Sequence, residues 1–490
     1  MKTISMCFVW CTLASGPAGA QFAQLGVEVI HTAGGVQNFD QFGLAPAAVG
    51  DVTGDGVTEI ACNAPGRSNP SGTTGACFLY DGATGVLIRT HPSPGFDVVF
   101  QRAAEVGDVN ADGVPDYAAA GWNTGSNGTV FVFSGADGST VLTLNGLTTS
   151  EQFGLGLASP GDVNADGHAD VLVGAPFHKP GAQRTGRVAM YSGADGTELW
   201  SALGAVAHDA FGHNCFPVDD YNADGVRDVA VGAPQMRPNF ANTGPGYVLL
   251  LSGATGAPIG DPLTSPSATS AEFGSWIPSP TVDLNGDGAH EIVISDQFDF
   301  ALGQETGRAV VFDGATREVL YEIVGSSALQ GTGATGNAGD FDGDGLDDLI
   351  VTDWRSPDGA PGFTGKVRVV RGTDGAPIGT VTSTSPGGAF GGWTFGMGDV
   401  DADGMPDIFV NAPWLTGDGP QHGRFWVLSG RSFLVCGIDF TGDGALNIDD
   451  IEVFVANFLA SSPLADLNAD EVLTTDDIDI FVGAFLAGCG

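Results

Sequence analysis

Seven times in 490 residues an acidic turn returns at near-constant spacing, and this repetition restricts the fold more than any bulk property does. The copies begin at Asp51, Asp108, Asp162, Asp220, Asp283, Asp340 and Asp399, with 54 to 63 residues between successive starts. The third copy, GDVNADGHADVLVGAP from Gly161 to Pro176, shows the plan. Asp162, Asn164 and Asp166 stand at alternate positions, Gly167 permits a sharp turn, and Asp170 closes the set. Calcium takes six to eight hard oxygen ligands, and a D-x-N-x-D-G loop supplies them in this pattern. Val171, Leu172 and Val173 then read as a short buried strand, ended by Gly174, Ala175 and Pro176.

The same reading gives calcium ligands at every copy. They are Asp51, Thr53, Asp55 and Glu59; Asp108, Asn110, Asp112 and Asp116; Asp162, Asn164, Asp166 and Asp170; and Asp220, Asn222, Asp224 and Asp228. The last three sets are Asp283, Asn285, Asp287 and Glu291; Asp340, Asp342, Asp344 and Asp348; and Asp399, Asp401, Asp403 and Asp407. Thr53, Glu59 and Glu291 depart from the pattern and predict weaker or rearranged binding. Around each loop lie an upstream aromatic, usually Phe-Gly (Phe42, Phe100, Phe153, Phe211, Phe273, Phe390), an apolar strand that ends in Ala-Pro in four copies (Pro65, Pro176, Pro234, Pro413), a variable loop, and two further strands joined by a turn such as Tyr191-Ser192-Gly193-Ala194-Asp195-Gly196, which makes four strands per copy. The sixth copy lacks the Phe. A four-stranded unit cannot bury both faces alone, and radial stacking solves this, so the expected fold is an all-β, seven-bladed β-propeller. The last copy runs out before a fourth strand, and residues near 26–31 are expected to supply it and close the ring.

The combination of FG, D-x-[DN]-x-D-G-x-x-[DE] and GAP resembles the FG-GAP repeats of integrin alpha-chain propellers over about residues 22–435. The resemblance implies that the calcium loops share one face of the disc and join the first and second strands of each blade. It also implies about seven Ca2+ sites in the propeller.

From Cys436 the chain changes character. Asp439, Thr441, Asp443, Asn447 and Asp450 recur 27 residues later as Asp466, Asn468, Asp470, Thr474 and Asp477. The apolar trio Ile451, Phe454 and Phe458 recurs as Ile478, Phe481 and Phe485, at the spacing of one helix face. Paired loop-helix units of this kind resemble a dockerin, which implies a small all-α module with one or two Ca2+ sites and a cohesin-like receptor. Glu471 stands where the second turn wants glycine, and Ile448-Asp449 and Thr475-Asp476 replace the usual recognition pairs, so a cellulosomal partner is not expected. The predicted domains are a signal peptide over 1–20, the propeller over 21–435 and the dockerin-like domain over 436–490.

The signal peptide is read from Lys2, the apolar run Ile4 to Leu13 and Ala18-Gly19-Ala20. No later apolar run approaches the ~18 residues of a membrane span, so the expected location is secreted, extracellular or cell-surface. A formal charge of -41 excludes a nucleic-acid partner. No two histidines have metal-ligand spacing; only His178, His208, His213 and His422 are placed to face a ligand, and no nucleophile elbow occurs. Cys62 with Cys77 and Cys436 with Cys489 are the predicted disulfides, with Cys215 left as a buried thiol, although spacing does not fix connectivity.

Recognition is expected on the variable loops, opposite the calcium turns. These carry Trp122, Lys179, Arg237, Trp354, Arg355 and Trp414, together with Arg67 and Arg184. The resulting expectation is a non-enzymatic binding or adhesion module for an extracellular glycan or glycoprotein. The alternatives are a polysaccharide-active or phospholipase-type enzyme, and a structural surface-layer component.

Overall fold

A computed structural model describes residue 22 and residues 27–434 apart from 70–73, 96–97, 123–124, 237–243, 277–281, 302–304, 328, 357–363, 386 and 417–420. In the C-terminal segment it describes 448–459, 474–475, 478 and 481–482. The predicted signal peptide, the cysteines Cys436 and Cys489, Arg237, and the predicted C-terminal calcium ligands Asp439, Thr441, Asp443, Asn447, Asp466, Asn468, Asp470 and Asp477 lie outside the described residues.

Seven antiparallel sheets follow one another along the chain. The first blade is Leu44–Ala48, Ile60–Ser68, Thr74–Tyr80 and Leu87–Pro92, hydrogen-bonded in that order from the inner strand outward. The second, third and sixth repeat this layout, beginning with Phe100–Gly107, Leu157–Gly161 and Thr332–Gly339. Blade four has three strands, Cys215–Pro217, Val229–Ala233 and Tyr247–Leu251, with bridges from Val248 to Leu263 and from Leu251 to Pro258 along its outer edge. Blade five is Ile292–Asp296, Arg308–Phe312 and Val319–Val324, with Trp276 bridging Ser295 on the inner side.

Ring closure takes the expected form. Blade seven combines Thr394–Gly398, Asp407–Ala412 and Arg424–Leu428 with the N-terminal strand Val29–Gly34, which pairs antiparallel with Arg424–Leu428. The strand begins slightly later than the 26–31 stretch read from the sequence. A short helix, Arg431–Leu434, follows and packs Phe433 against Phe341.

The core consists of seven layers, one between each pair of neighbouring blades, including a layer where Phe42, Cys62 and Phe78 of blade one meet Phe409 and Phe425 of blade seven. Strand alternation explains the unbroken apolar runs. Val171 and Val173 point toward blade two while Leu172 points toward blade four, so both faces of the strand are buried. Burying a side chain of this size contributes about 1.5–3 kcal/mol.

The Phe-Gly and Gly-Ala-Pro elements meet at the joints of the ring. Phe42, Phe100, Phe153, Phe211, Phe273 and Phe390 are all buried. Gly174 of blade three lies so close to Gly212 of blade four that a Cβ on it would stand 2.0 Å from the Gly212 carbonyl oxygen, and Gly212 itself has φ +85°. Only glycine permits that approach. In the sixth copy Thr332 occupies the Phe position, bridging Gly307 as Phe211 bridges Gly186, and its hydroxyl hydrogen-bonds Asp353.

One prediction is overturned. Cys62 and Cys77 are free and buried. Cys62 is opposite Phe78 and Cys77 opposite Asn63, so the two thiols fall on opposite faces of blade one. Cys62 packs toward blade seven and Cys77 toward blade two. Cys215 is a free buried thiol, as expected.

Candidate functional site

Outside blade five, each acidic turn joins the first and second strands of its blade, and in blade five it leads directly into Ile292–Asp296; in every copy the backbone folds around the first aspartate. In the third copy the amides of Asp166 and Gly167 donate to Asp162, and that of His168 donates to Asp166. The residue between the second and third ligand positions is left-handed in every copy: Gly54, Ala111, Ala165, Ala223, Gly286, Gly343 and Ala402 all have positive φ. Four copies therefore hold an alanine where glycine is favoured, at a cost of roughly 1–2 kcal/mol each.

Carboxylate oxygens converge within 4.8 Å of one another in Asp51, Asp55 and Glu59; Asp283, Asp287 and Glu291; Asp340, Asp342 and Asp344; and Asp399, Asp401 and Asp407. Such oxygen-only sets fit a hard divalent cation. The closing acid has a second task. Asp170 accepts from the Val163 amide of its own turn and from Gly193 in the Ser-Gly turn, and Asp116, Asp228, Asp348 and Asp407 make the equivalent pair of bonds. Burial raises the Asp348 and Asp407 carboxyls to about 6 against the amide bonds that oppose it.

On the opposite face, the predicted recognition residues are placed unequally. Trp354, Arg355, Trp414 and Trp122 are half-buried, and Lys179 is exposed. Arg67 is paired with Asp40 and lies over Phe78, and Arg184 donates to the Ser150 and Phe177 carbonyls, so both brace loops. Arg355 pairs with Glu305 while its guanidinium carbon sits 4.2 Å from the Trp354 ring centroid. Four indoles run on from there: Trp354 to Trp414 at 6.3 Å, Trp414 to Trp393 at 6.5 Å, and Trp393 to Trp276 at 5.8 Å between centroids.

The arc ends at the mouth of the central channel. The channel is walled by the inner strands and encloses about 510 Å³. A smaller chamber of about 210 Å³ adjoins it on the variable-loop side and shares Ala45, Arg102, Trp276 and Trp393 with it. Arg102 lies over Trp276, with its guanidinium carbon 5.8 Å from the ring centroid. Its exposed surface is that of the channel wall, and desolvation lowers its pKa. His213 is held neutral, at about 4, chiefly by desolvation, with a hydrogen bond to the Ser275 backbone acting the other way. Among the described residues, Arg102 Nε, His213 Nδ1, Asn214 Oδ1, Trp276 Nε1 and Trp393 Nε1 are buried with no hydrogen-bond partner. Of these, only His213 stands out in the sequence; Arg102, Asn214, Trp276 and Trp393 carry no local signal.

Residues 153–191, spanning most of blade three, match the FG-GAP repeat, and residues 340–410, from the sixth acidic turn into blade seven, match the FG-GAP-like repeat. The chain carries FG-GAP repeats. This FG-GAP propeller is 32% identical to mouse integrin alpha-IIb over 164 residues, covering 31% of the chain and 15% of the integrin. It is 30% identical to mouse integrin alpha-8 over 205 residues, 39% of the chain and 18% of the relative. Rat phosphatidylinositol-glycan-specific phospholipase D matches at 29% over 163 residues, 31% of the chain and 19% of the relative. The FG-GAP chain thus spans less than a fifth of each of these relatives. None of its described helices is long and apolar enough to cross a membrane.

Proposed function

We propose that this protein is a secreted, calcium-stabilised binding or adhesion module that recognises an extracellular glycan or glycoprotein through the face opposite its acidic turns. The observation that carries this reading is the arc from Arg355 and Trp354 through Trp414 and Trp393 to Trp276, since Trp and Arg are the residues enriched at binding hot spots. The integrin resemblance supports it further. Calcium would be held by the alternate acids of each turn, about seven ions in all, and would supply charge neutralisation and a fixed loop geometry. The dockerin-like tail would attach the propeller to a cohesin-like receptor.

A glycan array probed with calcium present tests the assignment. Trp354→Ala with Arg355→Ala should weaken binding by about 1–2 kcal/mol and leave calcium affinity unchanged. Equal binding by wild type and double variant would place recognition elsewhere. Excess chelator should lower the melting midpoint by more than about two degrees, because each site occupied at a hundredfold Kd adds about 2.7 kcal/mol. A smaller shift would remove structural calcium from the account. A phospholipase-type activity is the second reading, favoured by the phospholipase D match. Release of product from phosphatidylinositol-glycan by the purified chain would replace the first reading with this one.

A further inference from the structure

We propose that the mouth of the central channel is a pocket for a hexuronate unit of an acidic polysaccharide, with Arg102 pairing its carboxylate and His213 and Asn214 accepting its hydroxyl hydrogens. The inference rests on the binding-module reading and gives it a site and a ligand class.

The inventory of unpartnered atoms sets the ligand's chemistry. Arg102 brings a guanidinium whose Nε has no acceptor, and Trp276 and Trp393 each bring an indole N–H that likewise has none among the described residues. The ionisable neighbour acting on Arg102 is the buried Cys215 thiol, whose own pKa burial pushes up to about 12, so it supplies no counter-charge at neutral pH. A planar carboxylate suits a guanidinium fork. Donors alone would fit any small anion, but two acceptors narrow the choice. Neutral His213 has Nδ1 buried without a partner, and Asn214 Oδ1 is equally unsatisfied. Hydroxyl groups satisfy these acceptors, and a fully ionised phosphate or sulfate supplies none.

Shape agrees with this inventory. The chamber is flanked by the indoles of Trp122, Trp276 and Trp393, whose flat apolar surfaces match the C–H face of a pyranose ring. Its volume of about 210 Å³, opening into the larger channel, gives room for one sugar unit with the chain continuing along the arc toward Trp414 and Trp354. Buried polar groups left unpaired are costly, and a ligand that pairs them recovers that cost.

The experiment uses the full chain with calcium and five probes: glucuronate, galacturonate, their two neutral hexoses, and succinate. Binding is read by tryptophan fluorescence and by calorimetry. A uronate should bind about tenfold or more tighter than its neutral hexose. Arg102→Gln should erase that preference, and Arg102→Lys should restore part of it. His213→Ala should weaken uronate and hexose alike. Absence of uronate binding at high millimolar concentration, equal affinity for uronate and hexose, or succinate binding as well as uronate would each overturn the proposal; the last would point to a carboxylate-bearing peptide. These arms need only the wild-type chain, so they decide even if the Arg102 variants fail to fold. A glycan whose binding is lost in the Trp354/Arg355 double variant but unchanged in Arg102→Gln would preserve the binding-module reading and sink this one.

Discussion

Phe454 stacks on Phe481 with ring centroids 4.1 Å apart and planes 2° from parallel. The two residues are equivalents in the C-terminal duplication, offset by 27 positions, and both are buried. The stacking thus brings equivalent residues of the two repeated stretches together. Phe454 belongs to the helix Ile448–Leu459 and also touches Phe458, one turn on. Phe481→Ala should destabilise this segment by about 3 kcal/mol or more, the usual cost of emptying an aromatic site. Limited proteolysis of the full chain should then cut beyond residue 434 faster, while the propeller's melting midpoint stays in place. A shared loss of both would mean that the segment and the propeller unfold together.

The left-handed alanines of the acidic turns make a second prediction. Ala165 has φ 61°, a conformation glycine adopts without steric penalty. Ala165→Gly should raise stability by about 0.5–1 kcal/mol, the relief of strain outweighing the added freedom of the unfolded chain. Chemical denaturation in calcium-containing buffer measures it. A drop in the denaturation midpoint would mean that the methyl group makes contacts worth more than the strain.

Loss of the N-terminal strand should be far costlier than trimming a terminus. Val29–Gly34 completes blade seven, and Phe22 packs edge-on against Phe390 and Trp426. Removing residues 22–35 would expose the Arg424–Leu428 edge, an invitation to intermolecular pairing. Aggregation during refolding is the expected result, read by light scattering. A monomeric deletion variant with an unchanged melting curve would contradict this closure.

The pH dependence of stability should carry a contribution from Glu272. Desolvation, reinforced by Asp296 and Glu305, raises its pKa from 4.5 to about 7. The folded state thus holds this proton more tightly than the unfolded state does, and the contribution to stability falls as pH rises from about 4.5 to about 7. Glu272→Gln should remove that slope and leave the variant more stable than wild type above pH 7, as followed by thermal denaturation across the window. Parallel profiles for the two proteins would show that Glu272 ionises freely.

Much of this molecule was legible in advance because its information is local and repeated. Asp162, Asn164, Asp166 and Asp170 lie within nine residues, so a single turn decides where their side chains go. Seven copies then dictate seven blades, and the missing strand of the last copy points to the N-terminus. The Cys62–Cys77 prediction failed for want of register. The two cysteines are on adjacent strands, yet one residue of stagger turns each thiol toward a different blade.

By itself the sequence determined the repeat, the acidic turns and the closed ring, since each follows from short-range spacing and from the need to bury both faces of every sheet. Only the tertiary structure decided which polar groups are left to bind. Arg67 and Arg184 look as free in the sequence as Arg102 does, but loop packing gives the first two partners and leaves Arg102 facing the channel. Arg102, His213, Trp276 and Trp393 come from blades two, four, five and seven, and they meet because the inner strands of a propeller converge on its axis. Convergence of that kind has no spacing along the chain to reveal it.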